Sequence, residues 1–152
     1  MRMTGMLLLL LCFAAAIGNA KPPQSAGSLP EALEQAKKEG KMLFVEFGRK
    51  ADPDSQSLKE LIQKGKLKIP EAKYVYVGLN CDDMDVNRAF FELFNVAGNM
   101  LPLVVITDSD GKQVESRSGY GDKKAFEGLM KDAESKNKPP AKISDEAGKK
   151  GN

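Results

Sequence analysis

Three short, dense apolar runs, Met42 to Phe47, Tyr74 to Leu79 and Pro102 to Thr107, are separated by stretches of helical periodicity. Such runs, rich in branched and aromatic residues, read as buried strands. A strand covered on both faces needs a layer above and a layer below, and the intervening helices supply them. Ser28-Leu29-Pro30-Glu31 has capping-box spacing, and Ala32, Leu33 and Ala36 continue a helix to Gly40. Asp52-Pro53 opens a second helix, because Asp caps and Pro suits the first turn. Leu58, Leu61 and Ile62 form its apolar stripe, and Gly65 ends it. Asp85 is the expected cap of a third helix, with Ala89, Phe90, Leu93 and Phe94 on one face. Asp108-Ser109-Asp110-Gly111 turns the third strand into a fourth, Lys112 to Arg117, and Asp122 caps a last helix through about Glu134. The order α-βαβα-ββα predicts an α/β domain. Its first two strands run parallel through a helical crossover, and its last two form an antiparallel hairpin. The sheet is mixed and four-stranded, with helices on both faces.

The flanks are different in kind. Arg2 precedes an apolar run from Met6 to Ile17, and Gly18-Asn19-Ala20 then places small residues before a cut. This is the three-part pattern of a secretory signal peptide over residues 1–20, cleaved after Ala20. The run is short of the ~20 residues that cross a bilayer, so no membrane span is expected after cleavage. Residues 21–27 read as a Pro/Gly/Ser linker and 28–134 as the folded domain. Residues 135–152 read as a basic, polar, disordered tail. The expected location is outside the cytoplasm, periplasmic or secreted.

Composition excludes several chemistries. The chain has no His, which removes Ser-His-Asp and Cys-His catalysis and every His-ligated zinc site. Cys12 and Cys81 are the only thiols, too few for a cysteine metal site or a disulfide scaffold. Loss of the signal leaves Cys81 alone. A formal charge of +2 argues against a nucleic-acid partner. No cofactor is expected.

The order of elements, the helix-opening turn straight after the first strand and the Pro at the start of the third resemble the thioredoxin fold. Met42-Leu43-Phe44-Val45-Glu46-Phe47 is similar to the thioredoxin strand that ends in an acidic residue followed by Phe. Leu101-Pro102 corresponds to that family's cis-proline loop, and Asp108 to Lys112 to its last hairpin turn. The resemblance runs from about Glu31 to Asp132. Where the family places Cys-x-x-Cys, this chain has Asp52-Pro53-Asp54-Ser55. In the family the first cysteine, at a helix N-terminus, attacks a disulfide as thiolate and the second resolves the mixed disulfide. A carboxylate and a hydroxyl do neither, so on this alignment the dithiol reaction is excluded and Asp52 and Ser55 are degenerate active-site positions.

What the resemblance leaves is a peptide-binding rim made of Gly48, Arg49, Leu101, Pro102 and the Asp52 to Ser55 turn. The residue before the family's cis proline offers its backbone to an extended segment, a form of strand addition. The expected function is therefore a redox-inactive module that binds a protein or an extended peptide. Two alternatives stand beside it: an oxidoreductase-type protein in redox homeostasis that uses Cys81 as a single thiol, and a structural or assembly protein that makes contact through its basic tail. Cys81, at the end of the second strand, is expected to be buried, inert and away from the active-site turn. Glu46 is expected as a structural acid, partly buried, with a Lys partner or a raised pKa. Asp52, Asp54 and Gln56 hint at a calcium loop, but Ser57 and Gln63 occupy the positions that need Gly and Glu, so no metal is expected. Phe90, Phe91 and Phe94 are expected to pack in the core.

Overall fold

A computed structural model of the chain describes residues 21–138. The expected signal peptide at 1–20 and residues 139–152 of the expected tail lie outside the described residues. The elements follow the expected order: α1 (Leu29–Glu39), β1 (Met42–Gly48), α2 (Pro53–Gln63), β2 (Tyr74–Asn80), α3 (Met84–Leu93), β3 (Leu103–Thr107), β4 (Gln113–Ser118) and α4 (Lys123–Lys136). One sheet has the strand order β2-β1-β3-β4. β1 and β2 are parallel, β1 and β3 antiparallel, and β3 and β4 antiparallel.

Alternation along the strands sorts the core into two layers. Leu43, Val45 and Phe47 of β1 point to one face, where they meet Leu29, Ala32 and Ala36 of α1 and Phe90 of α3. Met42 and Phe44 point to the other, against Leu58 and Ile62 of α2 and Phe126 and Met130 of α4. β1 is buried along its whole length, because it is flanked by strands on both edges and by helices on both faces. Phe47 stacks on Phe90 with ring centroids 4.1 Å apart, which ties the upper end of β1 to α3.

Helix starts follow local chemistry. Ser28 accepts from the Glu31 N–H, Asp52 from the Ser55 N–H and Asp122 from the Ala125 N–H. The third cap is Asp83, not Asp85: the Asp83 carboxylate accepts from the N–H groups of Asp85 and Val86, and Asp85 itself sits in the first turn. α2 ends at Gln63 with Lys64 as its cap, short of Gly65, and α4 runs to Lys136, past Glu134.

Three further expectations change. Leu93 is 55% exposed and Phe91 52% exposed, so of the α3 apolar residues only Phe90 is buried, with Phe94 just beyond the helix. Phe91 still packs edge-on against Phe47 and Phe90. α3 therefore presents a narrower stripe to the core than its periodicity suggests. The stretch 21–27 is more than a linker. Ser25 bridges to Tyr76 in parallel sense, the Ala26 N–H donates to the Tyr76 carbonyl at 2.9 Å, and the Ser25 hydroxyl accepts from Gly78 N–H. This strap covers the lower part of the β2 edge, which would otherwise present open backbone groups.

Candidate functional site

The turn between β1 and α2 is closed by its own side chains. The Asp52 carboxylate accepts from the Ser55 N–H and from the Ser55 hydroxyl, both at 2.7 Å. Ser55 Oγ in turn accepts from the Arg49 N–H at 3.2 Å. Ser55 is buried. Its two hydrogen bonds to Asp52, with the nearby Arg49 charge, hold that carboxyl below its ordinary range. Pro53 occupies the first helical turn, where a missing N–H costs nothing.

Leu101-Pro102 is cis and lies beside this turn. A Cβ added to Gly48 would stand 2.8 Å from Ser55 Oγ and 3.9 Å from Pro102 Cβ, so Ser55 and Pro102 converge on the one position in β1 that carries no side chain. Ser55 and the proline loop thus lie side by side, with Asp52 hydrogen-bonded to Ser55. Gly119 N–H donates to the carbonyls of Met100 and Pro102, which fastens the loop to the end of β4. Among the described residues, neither the N–H nor the C=O of Leu101 has a hydrogen-bond partner. Met100, 66% exposed, and Tyr120 are the exposed apolar groups next to it in sequence and across the Gly119 contact.

Cys81 is buried, as expected. The in-register parallel pairing brings Asn80 opposite Gly48, and the Cys81 N–H donates to the Gly48 carbonyl at 2.9 Å. Arg49 Nε pairs with Asp82 at 2.7 Å. That bond and the Asp82 charge raise the guanidinium pKa. The Cys81 backbone therefore meets the end of β1 that leads into the turn, while its side chain packs in the layer of α1 and α3. Equal strand lengths and zero stagger carry the two strand ends to the same height.

Glu46 is the least expected member. It is 5% exposed, on the α2 face of β1, opposite Gly78 on β2 and Val104 on β3. Burial pushes its carboxyl pKa up, against the opposing pull of a hydrogen bond from the Tyr76 hydroxyl and of the Lys59 charge. Burial and the facing carboxyl push the Tyr76 phenol up as well. Of the two expected outcomes, a Lys partner or a raised pKa, the second holds: no Lys salt bridge reaches Glu46 among the described residues, and its hydrogen-bond partner is Tyr76. Glu46, with Gly78, lines a cavity of about 500 Å³ between α2 and the end of β2. Gly78 next in the alternation after Tyr74 and Tyr76 is the sequence signal for the open space beside Glu46. Distance from the active-site turn along the chain conceals it.

Asp52 and Gln56 are committed to local structure: Asp52 caps α2, and the Gln56 amide donates to the Lys50 carbonyl. Among the described residues no cluster of three or more acidic or thiol side chains is placed to hold a metal ion. No helix of the described residues is long and apolar enough to cross a membrane.

Comparison with solved structures decides what this frame is. A mutant thioredoxin from Halobacterium salinarum matches with a TM-score of 0.54 at 22% identity, over 80% of this chain and 98% of its own. The chain has the thioredoxin fold. Mitochondrial thioredoxin 3 from Saccharomyces cerevisiae matches with a TM-score of 0.52 at 14% identity, over 75% and 99% of the two chains. The reduced Schistosoma mansoni thioredoxin pre-protein gives 0.51 at 17% identity, over 71% and 92%. At these identities the likeness carries the fold. No protein-family model matches the sequence, and no curated protein does. Within this thioredoxin-like domain, Cys81 is the one cysteine among the described residues.

Proposed function

We propose that this thioredoxin-like protein is exported, has no dithiol redox chemistry, and binds an extended stretch of a peptide or protein partner at the rim of its degenerate active site. The observation that carries the reading is the free backbone of Leu101. An N–H and a C=O left without partners beside Pro102, next to exposed Met100 and Tyr120, suit an incoming strand. Main-chain bonds to Leu101 would set the register, and the apolar flanks would contribute burial. The closed Asp52–Ser55 pair supports the absence of exchange chemistry, because neither oxygen can form the mixed disulfide that the reaction needs. The pattern of residues 1–20 supports export.

The test is site-specific crosslinking in the full chain. A photoreactive residue at Leu101 is expected to trap a discrete partner, and Met100→Asp with Tyr120→Asp is expected to abolish the adduct. A parallel insulin-reduction assay is expected to be blank. Reduction of insulin by the wild-type protein, or a Leu101 crosslink insensitive to the double substitution, would overturn the reading.

A monothiol role for Cys81 is the second reading, favoured by its place next to Gly48 and Arg49. It requires thiol-dependent activity that disappears in Cys81→Ser.

A further inference from the structure

The cavity above Glu46 borders the active-site turn at Gly48, Arg49 and Ser55 but reaches neither Leu101 nor Pro102. It therefore shares part of the proposed peptide rim but not the Leu101 backbone that carries that reading. Its volume, about 500 Å³, lies within the range of small-molecule sites and would hold a ligand of amino-acid to dipeptide size.

Its chemistry is two-sided. The floor is a carboxyl group buried in the sheet, bonded through Oε2 to the Tyr76 hydroxyl and to no other group among the described residues. Gly78 keeps the space over that carboxyl open. A Cβ there would stand 3.0 Å from the Tyr76 hydroxyl and 3.7 Å from Glu46 Oε2. The wall is the polar stripe of α2, in which Gln56, Lys59, Glu60 and Gln63 repeat at helical spacing. Of the charged groups that line it, Arg49 is taken by Asp82 and Glu60 by Lys64. Among the described residues, Lys50 and Lys59 have no ion-pair partner. The cavity thus offers one acidic group at its base and two uncommitted cations at its wall.

We propose that this cavity binds a small zwitterion, a molecule with a primary ammonium for Glu46 and a carboxylate for Lys59 and Lys50. An ammonium against the buried carboxyl makes a charge-assisted hydrogen bond where, among the described residues, no protein cation forms a salt bridge and Lys59 acts only through its charge. It also compensates the charge that burial otherwise disfavours. A carboxylate at the mouth pairs with lysines in a partly screened setting, which contributes less but selects against simple amines. Neither an anion alone nor a cation alone satisfies both ends, so selectivity lies in the pair.

Isothermal titration of the full chain with L-alanyl-L-alanine tests this. Saturable binding is expected, with at least tenfold weaker binding of the N-acetylated and of the C-amidated dipeptide. Lys59→Met, on an exposed position of α2, is expected to weaken binding at least fivefold with an unchanged circular-dichroism spectrum, and Glu46→Gln at least tenfold. Met100→Asp with Tyr120→Asp, which is expected to abolish the adduct at Leu101, is expected to leave it unchanged, which separates this site from strand addition at Leu101. The inference is overturned if L-alanyl-L-alanine shows no saturable binding, if either blocked dipeptide binds equally well, if Lys59→Met leaves its affinity unaltered, or if Met100→Asp with Tyr120→Asp removes it.

Discussion

Replacing Asp52 by Ala removes a helix cap and the acceptor of a buried hydroxyl in a single step. The cap bond to the Ser55 N–H is worth about 1 kcal/mol by the general cost of truncating an N-cap to Ala. The Ser55 hydroxyl, buried beneath the turn, loses the carboxylate to which it donates, and an unsatisfied buried donor costs about 1–3 kcal/mol. It keeps one bond, as acceptor from Arg49 N–H, which places the cost toward the lower end. The sum is about 2–3 kcal/mol, enough to lower Tm by roughly 5–15 °C in a domain of this size. Urea unfolding followed by circular dichroism gives the free energies directly. The second arm of the experiment is the double-mutant cycle. Ser55→Ala removes the hydroxyl that Asp52→Ala leaves stranded, so the double variant is expected to be at least about 0.5–1 kcal/mol more stable than the two single losses added together. Asp52→Asn retains an acceptor and is expected to cost less than about 1 kcal/mol. The sign with pH follows from the lowered Asp52 pKa. The stabilisation is fully present above the ordinary value of 3.8 and is lost as pH falls through the folded-state value. A loss below about 0.5 kcal/mol for Asp52→Ala, or strict additivity with Ser55→Ala, refutes the closed turn.

Restoring sulfur at both positions, Asp52→Cys with Ser55→Cys, is expected to produce an internal disulfide under mild oxidation. Free thiol titration and mass spectrometry detect it, and two persistent thiols would contradict the positional match. Glu46→Gln is expected to flatten the stability profile above about pH 4.5. Burial raises the folded-state pKa above the ordinary 4.5, so wild-type stability falls as pH climbs from that value through the folded-state one, while the amide has no proton to lose. Urea midpoints across this interval that run parallel in the two proteins would refute it. Gly48→Ala puts a Cβ 2.8 Å from Ser55 Oγ and 2.9 Å from Ser55 Cβ, so the α2 N-terminus must shift at a cost of about 1–3 kcal/mol, read from the same unfolding curves. Cys81, buried next to Gly48, is expected to react with iodoacetamide far more slowly in native protein than in urea, and equal rates would refute its burial.

The parts legible from sequence are those whose cause is local. Asp52 and Pro53 open α2 because a carboxylate next to a residue without an N–H is a self-contained cap. The strands were legible from their dense apolar runs, and the match of Asp52 and Ser55 to the Cys-x-x-Cys positions and of Leu101-Pro102 to the cis-proline loop rested on the resemblance to thioredoxins. The misreadings arose where a neighbour distant in sequence decides. Leu93 fits the helical stripe, yet α3 meets the sheet through Phe90 and leaves Leu93 to solvent. Asp83 and Asp85 are equally good caps in isolation, and the helix starts two residues earlier than the Asp85 reading, capped by Asp83. Residues 21–27 carry linker composition, but an open edge on β2 recruits Ser25 and Ala26 as pairing partners.

Periodicity, caps and turn residues by themselves determined the succession of elements and the absence of sulfur from the turn after β1, because hydrogen bonds within a few residues and the chemistry of single side chains suffice for both. Only the packed sheet decided which atoms share a space. Parallel pairing without stagger set Cys81 against Gly48, and opposing strands set Glu46 over Gly78 beside Tyr76. Register is a cooperative property of strands brought together from far along the chain. No local stretch encodes it.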